Sequence, residues 1–484
     1  MGAHPAGPRH GENQLLAGAP PVPLDLAELH HLDESIWPIT AHRAAHEAGG
    51  GAAMVIGGVD VRDLARDFGT PLFVLDEDDF RQRARGFKQA YGDDTSPADV
   101  YFAGKSFLSI ATARWIAEEG LNLDVCSGGE LALALRAGFP PERIAFHGNN
   151  KLTDEMRSAL AAGIGSFVVD SFEEIARLAY LAEDADVRAR VLVRVTVGVE
   201  AHTHEFIATA HEDQKFGLSL ATGDAQEAVR RVLKLPSLEF VGLHSHIGSQ
   251  IFDAAGFEVA AHRVVELAAA IRDEHDVVVD EINLGGGMGI AYVSDDDPLD
   301  PADMASALRA IVVRECAAYD LPVPRLAVEP GRAIVGPSMV TIYEIGTIKR
   351  IEIGNGHVRT YVSVDGGMSD NIRTALYGAD YTARLASRGV DPAAGPGDVH
   401  PMLTRIVGRH CESGDVVVRD AWLPDDLAVG DLIAVAATGA YCRAMASSYN
   451  YIPRPPVIAV RDGQATPVLR RETIEDLLAL DVGV

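Results

Sequence analysis

The sequence predicts an α/β plus β chain, in which a (β/α)8 barrel of the TIM type is followed by a second, mainly β C-terminal domain that N-terminal strands join. Three observations point there. The chain has 484 residues, room for two or three domains of about 150 residues, one of which could be a barrel of about 250. From residue 100 onward short β-like runs alternate with Ala/Leu/Arg/Glu-rich stretches of helical periodicity, the pattern of parallel strands joined by right-handed crossovers. After Pro337 the texture changes to alternating or continuous β-runs broken by Gly, Pro and Asp.

Taken in order, residues 1–30 are rich in Pro, Gly and Ala and read as a disordered tail without the cationic start and apolar stretch of a secretory signal. Residues 31–76 look strand-rich and are expected to pack with the C-terminal β domain. Residues 77–337 hold the barrel, whose eight strands are VYFA, LNLDV, RIAFH, SFVVD, VLVRV, EFVGLHSH, EINLGG and LAVE. Ser171 and Glu174 form a capping box for the helix after the fourth strand, and Gly138 and Gly163 end helices. Residues 338–484 form the β domain, with runs TIYEIGTIKRIEI, VRTYVSVDGG, DVVVRDAW, DLIAVAATGA and PPVIAV. A doubly wound open sheet is the alternative to the barrel on pattern alone.

Composition removes several function classes. With 70 acidic against 42 basic residues the formal charge is -28, which argues against nucleic acid or an anionic membrane surface as partner. No run of about 18 apolar residues is present to span a bilayer. Cys126, Cys316, Cys411 and Cys442 are too few and too scattered for a disulfide framework or a C-x-x-C metal site, so a reducing, cytoplasmic setting is expected.

Barrels place reactive groups at the C-terminal ends of their strands. Lys105 follows the first strand, Asp124 lies on the second, Arg194 on the fifth and His246 on the sixth; Gly285, Gly286 and Gly287 follow the seventh, and Glu329, Pro330, Gly331 and Arg332 end the eighth as E-P-G-R. The glycine run suits close approach of backbone N–H groups to a phosphate, and Ser249 offers it a hydroxyl; read blandly, these are a tight turn and a helix N-cap. An amine at Lys105 suits a Schiff base with an aldehyde cofactor, the bland reading being a solvated lysine. A carboxylate such as Glu329 against a pyridine nitrogen would make pyridoxal 5'-phosphate a strong electron sink, with His246 flat against the ring; otherwise His246 is a satisfied core histidine.

These residues carry a resemblance. Y-F-A-G-K-S, H-S-H-I-G-S-Q, G-G-G-M-G-I, E-P-G-R and C-E-S-G-D occur here in the order found in the fold III pyridoxal-phosphate decarboxylases. H-T-H-E-F-I-A-T-A-H-E-D-Q-K-F-G at 202 to 217 and S-D-N-I-R-T-A-L-Y at 369 to 377 resemble the actinobacterial diaminopimelate decarboxylases within that family. The resemblance implies that Lys105 holds the cofactor, that Glu329 stabilises its pyridinium, that Cys411 protonates the α-carbon and that Tyr441 touches cofactor and substrate. It implies release of carbon dioxide from the D centre of meso-2,6-diaminopimelate to give L-lysine. It also implies a head-to-tail homodimer in which Cys411 and Glu412 complete the partner's site.

The substrate has an amino acid head at each end, so the unreacted one must be recognised. Arg332, Arg373 and Tyr377 suit its carboxylate and Glu412 its ammonium; Arg373 and Tyr377, four apart, share one face if helical. A decarboxylase of ornithine or arginine would have little use for those arginines. Among rivals, a metal-dependent barrel hydrolase using His244 and His246 leaves Lys105 and E-P-G-R without work, and no metal is expected. A bare-barrel cofactor carrier would lack the long β domain, and a racemase of related fold would, by family resemblance, carry arginine in place of Glu329. The stretch 202–217, pivoting at Gly217, is a candidate lid.

Overall fold

The computed structural model describes residues 21–23, 26–45, 52–92, 98–198, 215–352, 358–389 and 399–483. They divide into two compact units. One comprises the described parts of Arg81–Ile290 and Asp297–Ile334, the other those of Met1–Phe80, Ala291–Asp296 and Val335–Val484. The division therefore falls a few residues inside the expected 77–337. Glu77, for example, pairs with Arg461 at 3.2 Å within the second unit.

The first unit is built on eight strands: β1 Ala98–Ala103, β2 Asn122–Val125, β3 Ile144–Phe146, β4 Ser166–Val169, β5 Ala189–Thr196, β6 Leu238–His244, β7 Glu281–Asn283 and β8 Arg325–Val328. Each pairs in parallel with the next, and β8 returns to β1 through Leu326↔Ala98, so the sheet closes. That closure excludes the open doubly wound alternative. Strands buried on both faces explain why β3 and β4 read as unbroken apolar runs rather than alternating ones.

Serines start three of the intervening helices. Ser109 and Thr112 form a reciprocal capping box, and Ser127 and Ser171 accept from the N–H groups of Glu130 and Glu174, each cap contributing about 1 kcal/mol. The box expected at Ser171 forms only by half. The Glu174 carboxylate turns instead to Lys151 Nζ at 2.6 Å and to the Asp170 N–H, because Lys151 is buried and needs a counter-charge. Gly138 and Gly163 end their helices at φ 81° and 69°, a backbone region where a Cβ is strained.

In the second unit the fully buried strand Leu72–Asp76 runs antiparallel to Met339–Glu352 and parallel to Val457–Arg461. Met339–Glu352 also pairs with Leu432–Val435 and Val358–Val364. Pro401–Val407, absent from the sequence reading, is inserted between Val358–Val364 and Val416–Pro424; a leading proline and Arg405 hide its apolar character. A separate small sheet of His42–Ala45, Ala52–Ile56 and Val59–Asp60 packs through Met54 and Ile56 into a core with Trp37, Val74, Ile342 and Ile458. Of the expected 1–30 tail, residues 1–20 and 24–25 lie outside the described residues, while Leu26–Leu29 makes a 3₁₀ turn with Leu29 buried.

Candidate active site

The C-terminal ends of the barrel strands bring together most of the residues the sequence singles out. Lys105 lies in a 3₁₀ turn, Gly104–Ser106, directly after β1, and is exposed. The turn is anchored from β2, where Asp124 accepts from the Gly104 N–H at 3.2 Å. Burial and then the Glu329 charge push the Asp124 carboxyl well above the usual carboxylate range, against the pull of the Lys105 ammonium.

Glu329, buried just beyond β8, has the opposite character. Burial disfavours its charge, but His147, His244 and the Lys105 ammonium outweigh burial and hold the carboxyl well below its usual range. The geometry shows why. Asn283 Nδ2, at the end of β7, donates to Glu329 Oε1 at 2.8 Å, and His244 Nε2, at the end of β6, donates to the same oxygen at 3.0 Å. His147 Nε2, just past β3, lies 3.4 Å from it, with its ring edge-on to His244 at 5.1 Å. Three strand ends thus converge on one oxygen. Asn283 Oδ1 meanwhile accepts from the Gly285 N–H at 2.8 Å, so one amide ties the glycine loop to the carboxylate. Two neighbouring buried carboxyls pushed in opposite directions are a common mark of assigned proton roles.

His246 stands two residues past β6, partly buried, with Nδ1 enclosed and unpartnered. Burial, followed by the charges of Lys105 and Arg194, drives its imidazole well below the ordinary range, so it is neutral. Arg194, on β5, lays its guanidinium over the Phe216 ring at 4.5 Å. Ser249 is no helix cap, since the next helix begins at Ala255; its hydroxyl accepts from Arg332 Nη2 at 2.6 Å. Arg332 is therefore grouped with Ser249 inside the barrel unit. The glycines are required by close packing. A Cβ on Gly285 would meet the Ser245 carbonyl, on Gly286 the Glu329 carbonyl, and on Gly287 the Gly248 carbonyl. They let the loops after β6, β7 and β8 stack backbone to backbone. A buried carboxylate whose donors occupy one oxygen, an unpartnered neutral imidazole, and a loop cradle that any Cβ would fill suit a flat pyridine ring carrying a phosphate.

The remaining predicted residues belong to the second unit. Asp415 accepts from the N–H and Nδ1 of His410, at 2.8 and 2.9 Å, and from the Met368 N–H at 2.6 Å, while His410 stacks on Tyr449. This buried carboxylate pins the loop that presents Cys411 and Glu412, both exposed, to solvent. Tyr441 sits at φ 62°, a backbone conformation costly for a bulky residue and typical of functional positions. Arg373 and Tyr377 open and close the short helix Arg373–Tyr377. They differ in setting, because Arg373 is 5% and Tyr377 52% exposed.

Sequence reasoning missed His147 and Asn283 and gave His244 only a metal-binding role. His147 ends the run RIAFH and Asn283 interrupts EINLGG, so a polar residue closing each apolar run was the available signal. His147, His244 and Glu329 also have ligand types and spacing that could hold a metal ion. Most of the candidate lid lies outside the described residues; Gly217 is within them at φ 80°.

Comparison with known proteins places this geometry in context. The model of the pyridoxal-dependent decarboxylase family, pyridoxal binding domain, matches residues 77–336. The diaminopimelate decarboxylase of Mycobacterium leprae is 55% identical over 486 residues, covering 100% of both chains. That of Mycobacterium tuberculosis strain H37Rv is 55% identical over 459 residues, 94% of this chain and 99% of the relative. A crystal structure of diaminopimelate decarboxylase from M. jannaschii with L-lysine aligns at a TM-score of 0.82 and 30% identity, covering 91% of this chain and 98% of that one.

Proposed function

The chain belongs to the pyridoxal-dependent decarboxylases, and from that membership we propose that it decarboxylates meso-2,6-diaminopimelate at its D centre to L-lysine, the last step of lysine biosynthesis. When bound, pyridoxal 5'-phosphate supplies an aldehyde for amines and a pyridinium ring that accepts the electron pair released as the carboxylate leaves. Everything else falls to the protein. Lys105 holds the cofactor from the turn that Asp124 anchors. Glu329, fixed through Oε1 by Asn283 and His244 and held well below its usual range, would supply the negative charge that keeps the cofactor's pyridine protonated. His246 packs as a neutral plane, and Arg194 contributes positive charge beside it. The Gly286–Gly287 loop, Ser249 and the Pro330–Gly331–Arg332 turn take the phosphate.

From the second unit, Cys411 delivers the proton to the α-carbon and Tyr441 bears on cofactor and substrate. Arg373, Tyr377 and Arg332 take the distal carboxylate and Glu412 the distal ammonium. Exposure of Cys411 and Glu412 on a loop held by Asp415 supports a homodimer in which they complete the partner's site. The acidic, disulfide-free chain suits the cytoplasm.

The observation that carries this reading is the Glu329 carboxylate held charged by strand-end donors in the same barrel mouth as Lys105. Carbon dioxide release measured across diaminopimelate, ornithine and arginine tests it. Diaminopimelate alone should react at an appreciable rate, dependent on added pyridoxal phosphate and indifferent to chelators. Preference for ornithine would establish the other basic substrate class, and loss of activity on chelation would favour a metal at His147, His244 and Glu329.

A further inference from the structure

Arg373 is in an unusual position for an arginine. It is almost wholly buried, and among the described residues no carboxylate lies within salt-bridge distance of it. A buried guanidinium without an anion bears a desolvation cost that neutral neighbours only partly offset. Its neighbours are aromatic. The guanidinium carbon is 4.9 Å from the Tyr292 ring centroid and 5.7 Å from that of Tyr381, and the two rings meet edge to face at 5.2 Å and 78°. Nη1 donates to Tyr381 Oη at 2.6 Å, while Nε is buried with no partner among the described residues.

The clamp is itself held. The Thr382 hydroxyl donates to the Tyr292 carbonyl at 2.8 Å, fixing Tyr292 beside the Tyr381 segment although it lies 89 positions earlier in the chain. Tyr381 Oη also lies 3.5 Å from Cys442 Sγ, next to Tyr441. Aromatic faces attract a cation without neutralising it, so the fork is oriented and left charged. That state is ready for a planar carboxylate rather than for a permanent ion pair.

We infer that Tyr381 and Tyr292 are specificity-determining positioning residues, which hold the Arg373 fork for the carboxylate of the substrate's unreacted amino acid head. The inference rests on the proposed function, in which that carboxylate is the ligand of Arg373. It predicts that these tyrosines act on affinity for the distal carboxylate and on nothing else.

The probes are L-lysine, which keeps that carboxylate, and 1,5-diaminopentane, which is the same chain without it. Both are titrated calorimetrically into the holoenzyme. Wild type should prefer L-lysine. In Tyr381→Phe the L-lysine affinity should fall about 10-fold, the scale of a lost hydrogen bond to a charged group, with 1,5-diaminopentane unchanged. In an Arg373→Lys background the further Tyr381→Phe change should add nothing, because the tyrosine acts only through the guanidinium. Tyr292→Leu supplies an independent variant with the same expected pattern. Equal losses for both probes, an unchanged L-lysine affinity, or additive losses in the double variant would each overturn the inference while leaving the proposed function intact. A wild-type enzyme that does not distinguish the two probes would overturn both.

Discussion

Replacing Asn283 with aspartate reverses the polarity at Glu329 while keeping shape. The new carboxylate can still accept from the Gly285 N–H, as Asn283 Oδ1 does at 2.8 Å, so the glycine loop stays anchored. On the other side the 2.8 Å donor to Glu329 Oε1 becomes an acceptor. Two charges at that separation repel by about 6 kcal/mol at an effective dielectric of about 20, so the pair takes up a shared proton. That shared proton replaces the neutral amide donor and takes charge off Glu329, a loss of about 1.5–3 kcal/mol on the scale of one charge-assisted hydrogen bond. Converted to a barrier, that is a turnover loss of about 10- to 100-fold. Because the lesion is an added proton, turnover in Asn283→Asp should climb as pH rises from about 7 to about 9, as expected of a carboxyl pair whose pKa is raised, whereas wild type should not show that climb. The assay is carbon dioxide release at saturating substrate over that pH range, with the cofactor's absorbance confirming occupancy. A variant that matches wild type in turnover and in pH profile would refute the idea that Glu329 must be held as an anion.

Other outcomes follow from separate parts of the molecule. Cys411→Ala should retain cofactor and lose roughly 100-fold in turnover, the usual scale for a positioned proton donor; unchanged turnover would remove its role. Glu281, at the start of β7, is pushed up to about 7 by burial and then by Asp99, against Arg190 and Arg325. Its contribution to stability is therefore complete below about pH 4.5, the unfolded value, and is lost as pH rises through about 7, a cost near 3 kcal/mol above that. Glu281→Gln should raise the melting temperature at pH 8 and leave it nearly unchanged at pH 4.5; equal shifts at both would contradict this. Lys151→Met strands the buried Glu174 carboxylate and should cost about 3–5 kcal/mol in denaturant unfolding, most of it recovered by adding Glu174→Leu.

The eight barrel strands were legible because each is a short apolar run followed by a change to helical spacing, and parallel strands buried on both faces leave that imprint. Lys105, Glu329 and the glycine loop were legible for a related reason: each stands just beyond such a run, where a barrel exposes its chemistry. What the sequence hid depends on distant partners. Glu174 has the spacing of a capping box, yet Lys151, 23 positions earlier, claims its carboxylate. Asn283 serves Glu329 and Gly285 at once, and no local pattern announces a residue whose work lies 46 positions away. The second-unit membership of Ala291–Asp296 was equally silent, because the segment is too short to carry a periodicity of its own.

Lys105 and the charged Glu329 are proposed to act on one cofactor. The most direct measurement of this is borohydride trapping of the pyridoxal-phosphate-loaded protein, followed by peptide mass mapping of wild type and Glu329→Gln. The cofactor's mass should be found on Lys105 in both, with decarboxylation lost only when the carboxylate is gone. Label on Lys151 or another lysine, no label at all, or full decarboxylation by Glu329→Gln would contradict it.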